Sequence, residues 1–295
     1  MARDNAGEAP QETLFHYTSE EAFRNIVRTE QLWFTSIYQM DDREELNFGY
    51  GISRSILQSA SDSGDVVIRA FCEPLIRDDL RADIRQTFDF YSVSFGTKDD
   101  PNQWSRYADG GKGLAIGLAP PFFLPQQVVD PKPEDHVYVG KVLYGDKAAR
   151  AKHAAVVDFA IDVIGQVRDA GLIRKWLDAR AFFRRIASEM YVEILWNCVT
   201  TKDDSWSQQR ETRLLALNHL GKPHLEIHNA TVRPRVQIGQ PLLRSNLEEV
   251  MLGPMSDASA EDRIKTFLID HGLTETRVTR SSFDHAAGAL KIDSR

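Results

Sequence analysis

Four groups of polar residues in this chain have the types and spacing for chemistry. The first is His16-Tyr17-Thr18, an imidazole, a phenol and a hydroxyl at the end of a short apolar run. The second is the acidic cluster Asp41, Asp42 and Glu45. The third is Ser92 and Ser94, spaced i, i+2 and so on one face of a strand, followed by Trp104 and Tyr107 at i, i+3. The fourth is Gln209, Glu211 and Arg213, which share a face if residues 206–213 are extended. Each group also has a plainer reading. His16 could bond a helix end, and the acidic cluster could cap a helix. Trp104 and Tyr107 could be core contacts, and Glu211 with Arg213 a surface strand pair. Carboxylates can hold a hard cation for a metal-dependent hydrolase or nuclease. This cluster lacks EF-hand spacing, and no metal is expected.

Taken together, the groups supply what transfer from a nicotinamide dinucleotide requires. His16 is a polar side chain for the ribose, and Ser92 and Ser94 brace the strand beside it. Tyr17, Trp33 or Tyr107 offers an aromatic surface for the nicotinamide ring. Glu211 is a carboxylate that can hold a ribose hydroxyl and stabilise oxocarbenium-like charge as nicotinamide leaves. Thr18, Trp104, Gln209 and Arg213 complete the expected binding set. NAD is then the substrate, and the acceptor is a protein or a nucleic acid. A second reading, from a different class, is a module that binds a nucleotide or partner without chemistry.

These residues must be positioned by strands and helices. Residues 14–17 predict a strand, and Ser19 predicts a helix cap ahead of Glu20 and Glu21, which suit the positive end of the helix dipole. Further strands are expected at 32–36, 88–96, 113–118, 137–145, 212–217, 224–229, 232–238, 247–253 and 276–282. Helices are expected at 43–60, at 66–88, over 147–200 with a break at Gly171, and from a Ser259 cap to a Gly272 stop. The Pro-rich run 119–135 reads as irregular. The mixture lacks regular βαβα alternation and predicts an α+β fold: a mixed or antiparallel core of short strands in one domain, 13–295, with a helical insertion at about 147–200 and a disordered tail at 1–12.

Composition bounds the partners. The chain has 295 residues, is 42% hydrophobic and 27% charged, and carries a formal net charge of −7. That balance argues against broad phosphate-backbone binding, though not against a small basic pocket. Cys72 and Cys198 are far apart, without CxxC spacing, so buried thiols are expected rather than a disulfide or a zinc site. The polar N-terminus has no apolar signal core, and no stretch nears the ~18 apolar residues of a membrane span. A reducing, cytoplasmic setting and no membrane partner are expected.

Five stretches, "LFHYTSEEAFRNIV", "LWFTSIYQMDDREE", "YSVSFGTKDDPNQWSRYADGGKGLAIGL", "WSQQRETRLLAL" and "LEEVMLGPMSDASAEDRIKTFL", resemble, in order, the bacterial family called domain of unknown function 2971. The chain departs from that pattern at Asp41, Arg43 and Gln209, where the family usually has Asn, Pro and Glu. The order His16, Ser92-x-Ser94, Gln209-x-Glu211 also resembles the three signature strands of the ADP-ribosyltransferase superfamily. That resemblance implies a split sheet, His16 at the NAD ribose, Ser92 and Ser94 as supports, Gln209 orienting the acceptor and Glu211 as the catalytic glutamate. A bacterial toxin or phage-defence role fits that superfamily, and with water as acceptor the same site is an NAD glycohydrolase.

Overall fold

The computed structural model describes residues 10–39, 43–77, 88–124, 137–172, 176–219, 226–228, 235–239 and 243–283. The fold is α+β, as expected. Strand β1 (Leu14–Thr18) runs into helix α1 (Glu20–Thr29), whose cap is Ser19: its hydroxyl accepts from the Ala22 amide at 3.2 Å. Glu20 and Glu21 occupy the first turn, and Phe23, Ile26 and Val27 form the buried face. Burying three such side chains contributes on the order of 1.5–3 kcal/mol each. Strand β2 (Gln31–Ser36) follows, then α2 (Arg43–Ser61), α3 (Val66–Ile76), β3 (Phe88–Phe95), α4 (Pro101–Tyr107) and β4 (Leu114–Leu118). The run expected as one strand at 137–145 is broken at Val142 into β5 (Val137–Lys141) and β6 (Leu143–Tyr144).

The long helical stretch is two helices, α5 (Asp146–Asp169) and α6 (Trp176–Val199). Gly171 sits between them at φ 65°, a left-handed backbone that costs glycine little. Then come β7 (Thr201–Lys202), a 3-10 turn Asp204–Gln209, β8 (Thr212–His219), β9 (Arg235–Gly239), β10 (Leu247–Leu252), α7 (Ala260–Asp270) and β11 (Arg277–Arg280). Ser259 stands before α7 but does not cap it; its hydroxyl instead donates to Asp257 at 2.6 Å. Its backbone is already in the helical region, so the side chain is not aimed back at the first-turn amides. Of the expected strand at 224–229, only the lone bridge of His228 to Arg235 lies among the described residues.

The strands form two main sheets. One has the order β1-β4-β10-β11 and the other β5-β8-β3-β2-β9; a third, small sheet pairs β6 with β7 in parallel. The two large sheets meet where Phe15 and Gly96 exchange backbone hydrogen bonds of 3.0 and 2.9 Å. Between them, with α1 and α7, lies a core built from alternate residues such as Phe34, Tyr91, Val93, Phe95, Ile116, Leu118, Val250 and Leu252. The other face of the larger sheet supplies Phe90 and Leu215 to a second core with α2, α3, α5 and α6. Neither cysteine is in a disulfide, and both are buried in that helical core. A third cluster joins Phe15 and Tyr17 to Trp104 and Ala108 beneath α4.

Candidate functional site

The period-2 alternation of strands decides which expected residues can meet. On β1, His16 faces away from Phe15 and Tyr17. On β3, Ser92 and Ser94 face away from Tyr91, Val93 and Phe95, which point into the inter-sheet core. On β8, Arg213 lies opposite Ser94, and Leu215 opposite Ser92.

At the junction of the two sheets, His16 Nδ1 lies 3.0 Å from the Ser94 carbonyl oxygen. A carbonyl only accepts, so Nδ1 carries the proton and Nε2 is left as an acceptor. Burial lowers the His16 pKa more than that hydrogen bond raises it, which keeps the ring neutral at pH 7. The Ser94 hydroxyl then donates to Glu211 Oε2 at 3.4 Å, a long bond. His16 and Glu211 therefore meet the same residue on different sides of β3: the His16 ring, 5.6 Å from the Phe95 ring on the inter-sheet face, bonds the Ser94 carbonyl, and Glu211 bonds the Ser94 hydroxyl.

Glu211 is buried, at 2% exposure, and is held on every side. Its Oε2 accepts from Arg213 Nε at 3.0 Å and Nη2 at 2.8 Å. Its Oε1 accepts from Lys202 Nζ at 3.2 Å, and the same ammonium donates to Gln209 Oε1 at 2.9 Å. The Glu211 amide donates to the Tyr144 hydroxyl at 2.9 Å, and its carbonyl accepts from Val142 at 3.0 Å. Arg213 also donates to the Val199 carbonyl at 2.7 Å. Burial works to raise the Glu211 pKa, but the charges and hydrogen bonds of Arg213 and Lys202 together outweigh it. The carboxylate is ionised at neutral pH, and the buried trio carries one net positive charge.

Two local features build this cluster. Residues 206–213 are not extended throughout, as the shared-face reading of Gln209, Glu211 and Arg213 required. The 3-10 turn ends at Arg210, whose φ of 44° and ψ of 45° are left-handed. That conformation costs an L-residue about 1–2 kcal/mol, and it turns Gln209 and Glu211 onto the same ammonium. The second feature is Gly140, paired with Arg213 across β5 and β8. A Cβ there would lie 2.7 Å from Thr200 Cγ2 and 3.3 Å from Trp196, so glycine allows the end of α6 to close over the cluster.

The remaining expected residues lie elsewhere. Tyr17 is buried on the opposite face of β1 from His16, where its hydroxyl donates to the Thr97 carbonyl at 2.7 Å and accepts from the Asp100 amide at 2.9 Å. Its ring meets Trp104 edge-on at 4.8 Å, and Trp104 Nε1 donates to Asp99 at 2.8 Å. Both are packed core side chains. Trp33 stacks edge-on with His228 at 5.5 Å on β2. Thr18 is buried at the end of β1, Ser92 is buried beside Thr35, and Tyr107 is exposed on α4. Asp41 and Asp42 fall outside the described residues, as does the Glu45 side chain. Among the described residues no group of His, Cys, Asp and Glu could hold a metal ion.

Sequence reasoning missed Lys202, Tyr144, Trp206 and Arg106. Lys202 lies on a strand of two residues, too short for a periodic signal, whereas Tyr144 falls within the run expected as a strand and only its contact with Glu211 was missed. Trp206 sits in the turn between Lys202 and Glu211, 5.9 Å from the Lys202 ammonium, with the Arg106 guanidinium 4.8 Å over its ring. Among the described residues no helix is long and apolar enough to cross a membrane. An open groove between α1 and α7, lined by Arg24, Arg28, Asp262, Arg263 and Asp270, shares no residue with the cluster.

No curated protein and no solved structure matches the chain. The segment 103–214, which carries Arg106, Lys202, Trp206, Gln209, Glu211 and Arg213 but neither His16 nor Ser94, matches the model of a family described as a protein of unknown function (DUF2971).

Proposed function

We propose that this protein is an ADP-ribosyltransferase-like enzyme that acts on NAD at the split between the two sheets. The observation that carries the proposal is that Ser94 contacts both residues, its carbonyl accepting from His16 and its hydroxyl donating to Glu211, although the three are remote in sequence. In the reaction the bond from the ribose anomeric carbon to nicotinamide breaks and nicotinamide leaves with the bonding electrons. A nucleophile on a protein or nucleic-acid acceptor, or water, then attacks that carbon and gives up its proton. Glu211 is ionised and fixed, as a group that stabilises developing positive charge must be. His16 Nε2 is the acceptor for a ribose hydroxyl. Lys202 makes the longer of the ion-pair contacts to Glu211, so Oε1 is the oxygen to be exchanged for substrate.

Purified protein is assayed for nicotinamide release from NAD and for transfer of labelled ADP-ribose to varied acceptors. Glu211→Gln is the informative variant, because it keeps the shape and part of the hydrogen bonding. It is expected to lower turnover by about 10²-fold or more. Wild-type protein inactive with every acceptor, or a variant as active as wild type, sinks the enzyme reading. A chelator is expected to leave the activity unchanged; sensitivity to it moves the chemistry to Asp41, Asp42 and Glu45.

A second reading, a nucleotide-binding module without chemistry, is favoured by one observation. Both Glu211 oxygens are already taken by cations at 2% exposure, and the cluster is net positive, which suits an anion better than an oxocarbenium ion. NAD binding by calorimetry with no nicotinamide released selects this reading.

A further inference from the structure

We infer that the stacked pair Arg106–Trp206 is the docking point for the phosphate-bearing part of a nucleotide. This deepens the function proposed above, since it rests on reading the Glu211 cluster as a nucleotide site. Arg106 is exposed on the last turn of α4, and its guanidinium lies 4.8 Å over the Trp206 ring. Among the described residues no carboxylate pairs with it. A guanidinium stacked on an indole is held in place while its edge N–H donors face outward, the geometry for a bidentate bond to phosphate.

The pair is braced from both sides. Asn102 of α4 reaches Gln208 in the turn at 3.5 Å, and Asp203 caps the turn through the Ser205 amide at 3.0 Å and hydroxyl at 2.6 Å. The Lys202 ammonium, 5.9 Å from the same ring, connects the stack directly to Gln209 and Glu211. Arg106, Lys202 and Arg213 are balanced in number by Glu211 and by Asp203 and Asp204 at the start of the same turn, so the site rests on the direct donors of Arg106 and not on a net local charge. A phosphate is recognised at this rim by the charge-assisted bonds that the Arg106 edge can donate. Trp206 adds a half-buried aromatic surface at the same place.

The test uses the full chain with ADP as probe and adenosine as its phosphate-free counterpart, followed by calorimetry and tryptophan fluorescence. Wild-type protein is expected to bind ADP at least about tenfold more tightly than adenosine, in line with one charge-assisted contact. Arg106→Gln is expected to lose that preference, to leave adenosine binding unchanged and to melt with wild type, because the side chain is exposed. Trp206→Leu is expected to abolish the fluorescence response to ADP. Wild-type protein that binds no ADP, or Arg106→Gln that binds ADP as wild type does, overturns the inference. Nicotinamide release by Arg106→Gln with an unchanged KM also overturns it and leaves the enzyme reading intact. The ADP preference lost in Arg106→Gln with no nicotinamide released by wild type overturns the enzyme reading and leaves the docking site standing.

Discussion

Two glutamates, Glu211 and Glu249, are buried to the same degree, each 2% exposed, and each binds two cations and a hydroxyl. Glu211 takes Lys202, Arg213 and Ser94. Glu249, on β10, takes Lys98 at 2.8 Å, Arg277 at 3.5 Å and the Thr279 hydroxyl at 2.6 Å. The difference lies in the cations. Lys202 and Arg213 are themselves 6% and 1% exposed, whereas Lys98 and Arg277 are 50% and 66% exposed. Water can replace the partners of Glu249, but it cannot replace those of Glu211. A wholly buried ionic network gives little net stability, yet breaking it is costly, because one removal strands the other charges in a low-dielectric interior. Such an arrangement fixes geometry, and the Glu211 cluster stands at the split between the sheets, where geometry matters most.

The largest test of that contrast is Glu211→Ala. It leaves Lys202 and Arg213 buried without their anion and is expected to destabilise the protein by about 3–5 kcal/mol, read as a lower urea midpoint. A loss below about 1 kcal/mol would mean that the cluster is as open as that of Glu249. Next is Gly140→Ala, whose Cβ meets Thr200 Cγ2 at 2.7 Å. Lifting the end of α6 should cost about 1–3 kcal/mol, and an unchanged midpoint would show that this roof yields freely.

Acid gives the third test. Burial raises the pKa of both glutamates, but Arg213 and Lys202 at Glu211, and Lys98, Thr279 and Arg277 at Glu249, reverse it to a net lowering. The folded protein thus binds these protons more weakly than the unfolded chain does. The stability they contribute is complete above the ordinary glutamate value of 4.5 and is lost as pH falls through the folded pKa. Glu211→Gln and Glu249→Gln should each flatten the fall in stability between neutral pH and acid; a titration that keeps the wild-type slope in both would refute the charge assignment. The smallest effect is expected from Lys98→Ala: below about 1 kcal/mol, since the lost cation is half exposed. Thermal unfolding at low and high salt measures it, and a loss comparable to that of Glu211→Ala would erase the distinction.

Much of the fold was legible because its signals are local. The Ser19 cap, the alternating β3 and the glycine between α5 and α6 each follow from a few neighbouring residues. Alternation also put Ser92 and Ser94 on one face. Local signals misled where a neighbour competed, as at Ser259, whose hydroxyl went to Asp257. The aromatic partners were misplaced for a similar reason. Tyr17 is the right residue type next to His16 in sequence, but alternation turns it to the opposite face, where apolar burial claims its ring together with that of Trp104.

By itself, the sequence determined the residue types and the order of the segments that carry His16, Ser94 and Glu211. These depend on periodicity and propensity, which each short segment contains. Only the tertiary structure decided that Ser94 contacts both His16 and Glu211, that a lysine on a two-residue strand clamps the glutamate, and that Trp206 with Arg106 forms the rim. Those contacts join segments far apart in the chain. They depend on sheet register, on the left-handed turn at Arg210 and on the close approach that Gly140 permits, none of which leaves a mark on residue spacing.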